Sequence, residues 1–392
     1  MEIKKELIKC ADELGKQLIA LSGKIHNAPE LGFEEYKAVE WLTGFLKKNG
    51  FAVKKGICNL PTAFSATFET GKPGIKKPSI AFIAEYDSLP GIGHGCGHNI
   101  IGPASCGAAI VLKKIISKHG ISAKIHVIGT PAEEGGGGKV HLIKRGAFAG
   151  IDAAMMIHPD IKTRVRSDFL ANKQVRFHFY GKAAHAAASP HEGINALDAV
   201  ILTFNSINAM RQQLTPDIRI HGVITDGGVR PNVIPDYCSC WFYVRSKEKK
   251  DISVIFNKVK NCASAAAKAT GCRFKAEEGE VTYFPMKHNP AMENLFRKNL
   301  EIIGEPENLT DIRGAGSSDI GNLSHVVPTI HADIKIGDGL KGIHTEEFCK
   351  AAISKSGNKG LIRGASLLAM TGYDLLSNPQ NLNKVKLEFR KY

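Results

Sequence analysis

Six residues with metal-binding side chains are spread over four separate segments of the chain. They are Cys96, His98, Glu133, Glu134, His158 and His344. The Cys-x-His pair lies in a glycine-rich turn and cannot close a metal site alone, so the other segments must supply partners. Thiolate and imidazole favour zinc-like ions, whereas carboxylate also suits manganese, so the ligand types are compatible with zinc, manganese or cobalt.

Glu133 and Glu134 are adjacent and precede four consecutive glycines. Neighbouring side chains at the end of an extended strand point in opposite directions. We therefore expect one carboxylate to bind metal and the other to face the substrate and a metal-bound water. A ligand beside a general base is what metal-assisted hydrolysis requires. The glycine run lacks the Gly-Lys-Ser/Thr continuation of a phosphate-binding loop, and the acids before it would repel phosphate.

Alternating strand and helix patterns place these residues at strand ends. Strands are expected at 78–84, 123–129 and 153–157, and helices at 99–119 and 138–146. This order predicts an α/β fold with a mostly parallel or mixed sheet and helices on both faces. In such sheets ligands sit outside the carboxyl ends of the strands, where Asp87, the two glutamates and His158 fall.

The pattern changes beyond about residue 163. Strands and helices typical of a small α+β unit follow, with strand signals near Phe274 and Val281, before a further strand at 326–332 and one long helix at 348–376. The length also favours two domains. We therefore predict a catalytic domain of residues 1–168 and 285–392, interrupted by an inserted domain of residues 169–284.

The composition limits the cellular locations and partners that are expected for the protein. No apolar run reaches the roughly 18 residues of a membrane span, and residues 1–7 carry acids where a signal peptide would be apolar. The nine scattered cysteines indicate reduced thiols. The net charge of +14 comes from dispersed lysines without a nucleic-acid motif. We expect a cytoplasmic protein that binds neither nucleic acid nor membrane.

The ordered motifs resemble a known family. Residues 26–35, 93–99, 131–135, 181–190 and 316–319 are similar to motifs of the aminoacylase and carboxypeptidase G family of metallopeptidases and amidohydrolases, clan MH. The branch with indole-acetyl-amino-acid hydrolases, aminobenzoyl-glutamate hydrolase subunits and β-alanyl-lysine type dipeptidases is the most similar. The resemblance spans nearly the whole chain and implies a zinc-peptidase-like fold whose inserted domain is a lid and dimerisation domain.

The resemblance also implies roles for single residues. A centre of two divalent ions per subunit, zinc or manganese with cobalt possible, would be held by Cys96, His98, Glu134, His158 and His344. Cys96 would contact both ions, and Glu133 would be the general base and later the proton donor to the leaving amine. Asp87 is expected to orient a ligand histidine, as metal-bound imidazoles usually require.

The inserted domain would contribute to the reaction as well. His185 would stabilise the tetrahedral oxyanion, and in relatives this histidine comes from the other protomer of a dimer, which implies a homodimer or higher homo-oligomer. Asn232 matches a substrate-binding position, and Arg230 or Arg313 could bind a substrate carboxylate. The chain departs from many members of the subfamily at Asn99, where they have aspartate.

These features predict a metal-dependent hydrolase that cleaves the amide bond of an N-acyl amino acid or a dipeptide with a free carboxylate. Two alternatives stay open. Asn99 also fits a non-catalytic or hetero-partner subunit that keeps the fold. A Cys96 thiol hydrolase would be inhibited by alkylation but not by chelators. A serine hydrolase is not indicated, since no Gly-x-Ser-x-Gly motif surrounds Ser317 or Ser318.

Overall fold

The computed structural model describes residues 2–309 and 316–391. The helices are α1 (Glu2–His26), α2 (Tyr36–Lys48), α3 (His98–Lys118), α4 (Gly138–Lys144), α5 (Ala196–Met210), α6 (Lys249–Thr270), α7 (Pro290–Ile303), α8 (Ile320–Ser324), α9 (Glu346–Ala351), α10 (Lys355–Ser377) and α11 (Pro379–Arg390). The strands are β1 (Ala52–Lys55), β2 (Phe64–Thr70), β3 (Ser79–Ala84), β4 (Ala123–Gly129), β5 (Ala153–Asp160), β6 (Ala171–Tyr180), β7 (Arg219–Asp226), β8 (Tyr237–Ser246), β9 (Arg273–Glu278) and β10 (Thr329–Lys335).

The chain divides into two compact units. Within the described ranges, the larger unit holds residues 2–168, 286–309 and 318–391, and the smaller holds residues 169–285 with Gly316 and Ser317. Each unit has its own apolar core.

The larger unit is built on a mixed sheet with the strand order β1-β2-β4-β3-β5-β10. The four strands β4, β3, β5 and β10 run parallel, and β1 and β2 extend the sheet antiparallel. All six residues of β3 are buried, as expected for a central strand covered on both faces. The carboxyl ends of the parallel strands therefore meet at one edge, where Asp87 and His158 lie.

Helix α3 forms the centre of this unit. It is the one helix among the described residues that is long and apolar enough to cross a membrane by length and composition, but most of it is buried. It packs on β3 and β5 and is covered by α1 and α10. This burial is typical of a core helix, and it fixes the position of the residues at the start of α3.

The smaller unit is an antiparallel sheet of order β7-β8-β6-β9 with α5 and α6 packed on it. Alternate residues of β6 and β8, such as Phe177 and Phe242, fill the core beneath the helices. Residues between them, such as Arg176 and Trp241, lie on the opposite face, where the guanidinium carbon of Arg176 is 4.6 Å from the Trp241 ring centroid.

Two predicted elements differ from the structure. The expected single helix at 348–376 is two helices, because the side chain of Ser354 caps α10 by accepting the amide N–H of Gly357. No strand forms at Val281; within the described chain, the nearest pairing is an isolated bridge between Asn172 and Tyr283.

Candidate metal centre

The glycine-rich turn delivers Cys96 and His98 at the amino end of α3. Gly97 adopts a left-handed conformation (φ 76°), and a Cβ there would lie 2.8 Å from a side-chain carbon of Pro159 at the end of β5. This close approach brings the turn against β5, so that Cys96 Sγ lies 3.5 Å from His158 Nε2. Two sequence segments about 60 residues apart thus present a thiol and an imidazole to the same point.

Asp87 fixes the orientation of His98. Its Oδ1 accepts a hydrogen bond from His98 Nδ1 (2.9 Å), and its Oδ2 accepts the amide N–H of Glu134 (2.9 Å). Burial disfavours ionisation of Asp87, but attraction to His98 and the hydrogen bond from it outweigh burial and lower the Asp87 pKa. The second ring nitrogen, His98 Nε2, is left facing the candidate centre.

Glu133 and Glu134 converge instead of diverging, which corrects the expectation drawn from an extended strand end. Both lie in a turn that follows Ala132, a residue with a φ of 56°. Glu133 Oε2 is 4.0 Å and Glu134 Oε1 is 3.8 Å from His98 Nε2. The turn therefore directs both carboxylates toward one imidazole, and each side chain is only 12% exposed.

His158 and His344 reach the same cluster from different elements. The backbone carbonyl of Pro159 accepts a hydrogen bond from His158 Nδ1 (2.7 Å), which leaves Nε2 directed toward Cys96. His344 has a left-handed backbone (φ 63°), and its amide N–H donates to the carbonyl of Gly95 (2.8 Å). Its Nε2 lies 3.8 Å from Glu134 Oε2, at the more exposed side of the cluster.

The donor atoms form three overlapping groups, each with ligand atoms within 4.8 Å of one another. The groups are Cys96–His98–His158, Cys96–Glu134–His344 and His98–Glu133–Glu134. Cys96, His98 and Glu134 each belong to two of them. Among the described residues, the buried atoms His98 Nε2 and Glu134 Oε1 have no hydrogen-bond partner. Unpartnered imidazole and carboxylate atoms beside a buried thiol fit bound divalent cations.

The environment of Cys96 disfavours the thiol-hydrolase alternative. Burial raises the pKa of the Cys96 thiol well above its usual value. A nucleophilic cysteine without a metal needs the opposite shift, because the thiolate is the reactive form. A metal ligand does not, because a bound divalent cation itself deprotonates the thiol that it coordinates.

A buried ionic triad beside the centre was missed by the sequence analysis. Lys139 Nζ lies 2.5 Å from Glu85 Oε1 and 2.6 Å from Asp319 Oδ1, and Asp319 Oδ2 also accepts the Lys139 amide N–H (2.9 Å). Burial opposes the charge on Lys139, but its two carboxylate partners outweigh burial and raise its pKa. The Asp319 motif was visible in the sequence, but nothing local indicated that the lysine after the glycine run is its partner.

The triad and the second glutamate also act on Glu133. Burial raises the pKa of Glu133 well above its usual value, and repulsion from the nearby carboxylates of Glu85, Asp319 and Glu134 adds to the shift. A carboxyl group whose pKa is raised can take up a proton more readily than an exposed one.

The hydrogen-bond partners of Asn99 lie outside the donor cluster. Asn99 is fully buried, and its Nδ2 donates to Ser22 Oγ of α1 (2.9 Å) and to the carbonyl of Ala352 (3.5 Å). This side chain therefore joins the packing of α1 and the residues before α10.

Three further candidates belong to the smaller unit. His185, Arg230 and Asn232 lie on its loops, and all three are exposed. The carbonyl of Asn232 accepts the amide N–H of Ala186 (3.0 Å). His185 and Asn232 are therefore on neighbouring loops. His185 Nδ1 accepts the amide N–H of Ala188 (3.1 Å). Arg313 lies outside the described residues.

The sequence is similar to known peptidases and hydrolases. A family model described as a peptidase dimerisation domain matches residues 172–271. The chain is 38% identical over 401 residues to Xaa-Arg dipeptidase from Homo sapiens, covering 97% of this chain and 91% of that protein. It is 36% identical over 310 residues to a p-aminobenzoyl-glutamate hydrolase subunit from Escherichia coli, covering 73% of this chain and 62% of that protein.

A solved structure has the same fold. A dinuclear metal-binding peptidase of the M20 family from Bacillus subtilis superimposes with a TM-score of 0.69 at 17% identity, covering 93% of this chain and 99% of that one. The curated relatives are named as hydrolases and do not favour the non-catalytic alternative. The chain therefore belongs to the M20 metallopeptidase family, the aminoacylase and carboxypeptidase G family predicted from its motifs, and is an enzyme of the metal-dependent amide-hydrolase class.

Proposed function

We propose that the protein hydrolyses the amide bond of a dipeptide or an N-acyl amino acid that carries a free carboxylate. The observation that carries this proposal is the convergence of Glu133 with five other donors at the carboxyl ends of parallel strands. The dipeptidase named among the relatives supports the substrate class, and the aminobenzoyl-glutamate hydrolase subunit extends it to N-acyl amino acids.

We propose that two divalent ions are held by Cys96, His98, Glu134, His158 and His344, with Cys96 contacting both. The bridging role of Cys96 follows from the resemblance to the family, and it is compatible with the geometry, since Cys96 shares one donor group with His98 and His158 and another with Glu134 and His344. Bound ions would supply Lewis-acid polarisation of the scissile carbonyl and of a water molecule. A mixed thiolate, imidazole and carboxylate set suits zinc or manganese, with cobalt possible.

Glu133 is the proposed general base. Glu133 belongs to one donor group and Glu134 to two, so we assign the ligand role to Glu134 and the base role to Glu133. Glu133 would take a proton from the attacking water and return it to the amine that leaves when the C–N bond breaks. Asp87 would keep His98 in the tautomer that presents Nε2.

The smaller unit is proposed as the lid and dimerisation domain, with residues 1–168 and 285–392 as the catalytic domain. The match to a peptidase dimerisation domain supports a homodimer or higher homo-oligomer. His185 would stabilise the oxyanion, and Asn232 with Arg230 or Arg313 would bind the substrate, including its carboxylate. A small carboxylated substrate fits the net charge of +14. We propose a cytoplasmic location without nucleic-acid or membrane partners.

The decisive experiment replaces Glu133 by alanine. Glu133→Ala should retain bound metal, measured by elemental analysis, yet lose about 10²–10⁴-fold in kcat against a panel of dipeptides and N-acyl amino acids, because a general base contributes that much. Glu40→Ala, an exposed glutamate on α2 in the larger unit, is the matched control. Retained turnover in Glu133→Ala would refute the mechanism.

The assay also separates the enzyme from a scaffold. The wild-type chain should bind metal, lose turnover on chelation and recover it when zinc or manganese is added back. A purified chain that binds no metal and cleaves nothing in the panel, with either ion added, would contradict the proposed function.

A further inference from the structure

The N-terminal motif at residues 26–35 contributes no donor atom to the candidate centre. Its last residues nevertheless lie directly against the turn that holds Glu133 and Glu134. A Cβ built on Gly32 would meet the Cβ of Ala132 at 2.8 Å and its Cα at 3.0 Å. Three residues later, Glu35 Oε1 accepts the amide N–H of Ala132 (2.8 Å). The motif therefore contacts the residue immediately before Glu133.

Glu35 is not needed to cap the helix that it precedes. It occupies the N-cap position of α2, but its side chain makes no capping hydrogen bond. Glu30 takes over that task, since its carboxylate accepts the amide N–H groups of Lys37 and Ala38. The side chain of Glu35 is instead fully buried and directed to Ala132.

Ala132 is held in an unfavourable conformation. Its φ of 56° lies in the left-handed region, which residues with a Cβ rarely adopt. Such a conformation persists only where its surroundings enforce it. Two carboxylates do so here: Glu35 accepts the Ala132 amide, and Asp87 accepts the Glu134 amide two residues later. Glu133 lies between these two anchored amides.

We propose that Glu35 is a positioning residue for hydrolysis: its hydrogen bond to Ala132 holds the turn in the conformation that directs Glu133 toward the centre. The inference rests on the proposed role of Glu133. The acceptor oxygen carries this function, because the Ala132 N–H that it binds requires an acceptor and no charge. The close packing of Gly32 on Ala132 supports the same turn from a second point.

The conservative pair Glu35→Gln and Glu35→Ala tests the inference. The amide oxygen of glutamine can still accept the Ala132 N–H, so Glu35→Gln should keep kcat close to wild type. Glu35→Ala should lower kcat by about 100-fold with little change in KM, since displacing a catalytic group by about 1 Å costs that much. Glu40→Ala, at an exposed position on the adjoining helix, should leave both constants unchanged.

A second readout does not depend on turnover. In the metal-free protein, amide hydrogen exchange of a peptide covering residues 130–138 should accelerate in Glu35→Ala and stay slow in Glu35→Gln. If Glu133→Ala proves active, the proposed function fails, but this exchange measurement still reports whether Glu35 anchors the turn. Unchanged exchange and kcat in Glu35→Ala, or equal losses in Glu35→Gln and Glu35→Ala, would overturn the inference.

A variant at Gly32 covers the case in which Glu35→Ala does not fold. Gly32→Ala keeps Glu35 and creates no cavity, but its new methyl group would press on Ala132, so kcat should fall while overall unfolding stays cooperative. Gly23→Ala is its control, because a Cβ at Gly23 meets nothing within 4 Å. Equal kcat values for these two variants would also contradict the positioning role.

Discussion

The candidate residues of the two units are held in different ways. In the larger unit His98 is fully buried, and Asp87 fixes its ring through a direct hydrogen bond. In the smaller unit Asn232 and His185 are both exposed, and a backbone hydrogen bond from Ala186 to Asn232 joins their loops. The difference indicates that the donor cluster is built in advance by burial and side-chain partners. The residues of the smaller unit keep the rotational freedom suited to contacting a ligand.

The largest expected effect comes from breaking the buried triad. Lys139→Met would leave Glu85 and Asp319 buried without their cation, and losing one partner of a buried ionic group costs about 3–5 kcal/mol. We expect a clear fall in the urea midpoint of the metal-free protein. Lys144→Met is the control, since Lys144 is an exposed residue at the end of the same helix, α4.

A second substitution sharpens this test. Adding Asp319→Asn to Lys139→Met removes one uncompensated charge and should recover part of the lost stability. If Lys139→Met unfolds at the same urea concentration as Lys144→Met, the triad does not stabilise the larger unit, and buried side-chain partners are not what distinguishes it from the smaller one.

Some elements of the fold could be predicted from the sequence, and others could not. Strand β4 occupies the predicted residues 123–129, because an apolar run bounded by turn residues is a local signal. The convergence of Glu133 and Glu134 could not be predicted in the same way. It depends on the left-handed Ala132, whose amide is bound by the distant Glu35 near the start of the chain. A contact between residues so far apart in the chain produces no periodic pattern in the sequence.

The metal-donor residues could be recognised in the sequence, but the charged residues around them could not. Cys96 and His98 stood out because their types and spacing are typical of metal sites. Lys139 did not, since a lysine after a glycine run is ordinary unless the carboxylates of Glu85 and Asp319 are known to surround it. The types of the ligands were therefore readable from the sequence, whereas their charge environment required the tertiary structure.

A smaller effect, on metal affinity, is expected when the hydrogen bond that orients His98 is weakened. Asp87 accepts two N–H groups, from His98 and from Glu134, and an asparagine replaces one of its acceptor oxygens by an NH₂ donor. Asp87→Asn should therefore weaken metal affinity by about 10–100-fold, measured by competition with a chelating dye. Asp152→Asn is the control, since Asp152 also accepts an amide N–H, that of Ser79 at the other end of β3. Equal metal affinities for the two variants would show that Asp87 does not orient the ligand.

The smallest effect on the folded protein is expected in the smaller unit. Asn232→Ala and Arg230→Ala remove exposed side chains, so each should change the free energy of unfolding by no more than about 0.5 kcal/mol. If these residues bind substrate, KM should rise while metal affinity stays at the wild-type value, the reverse of the result expected for Asp87→Asn. Arg219→Ala, an exposed arginine on β7, controls for the loss of charge. A loss of metal affinity in Asn232→Ala would contradict the division of tasks between the units, because a residue that acts only on substrate has no means of changing how the donor cluster is held.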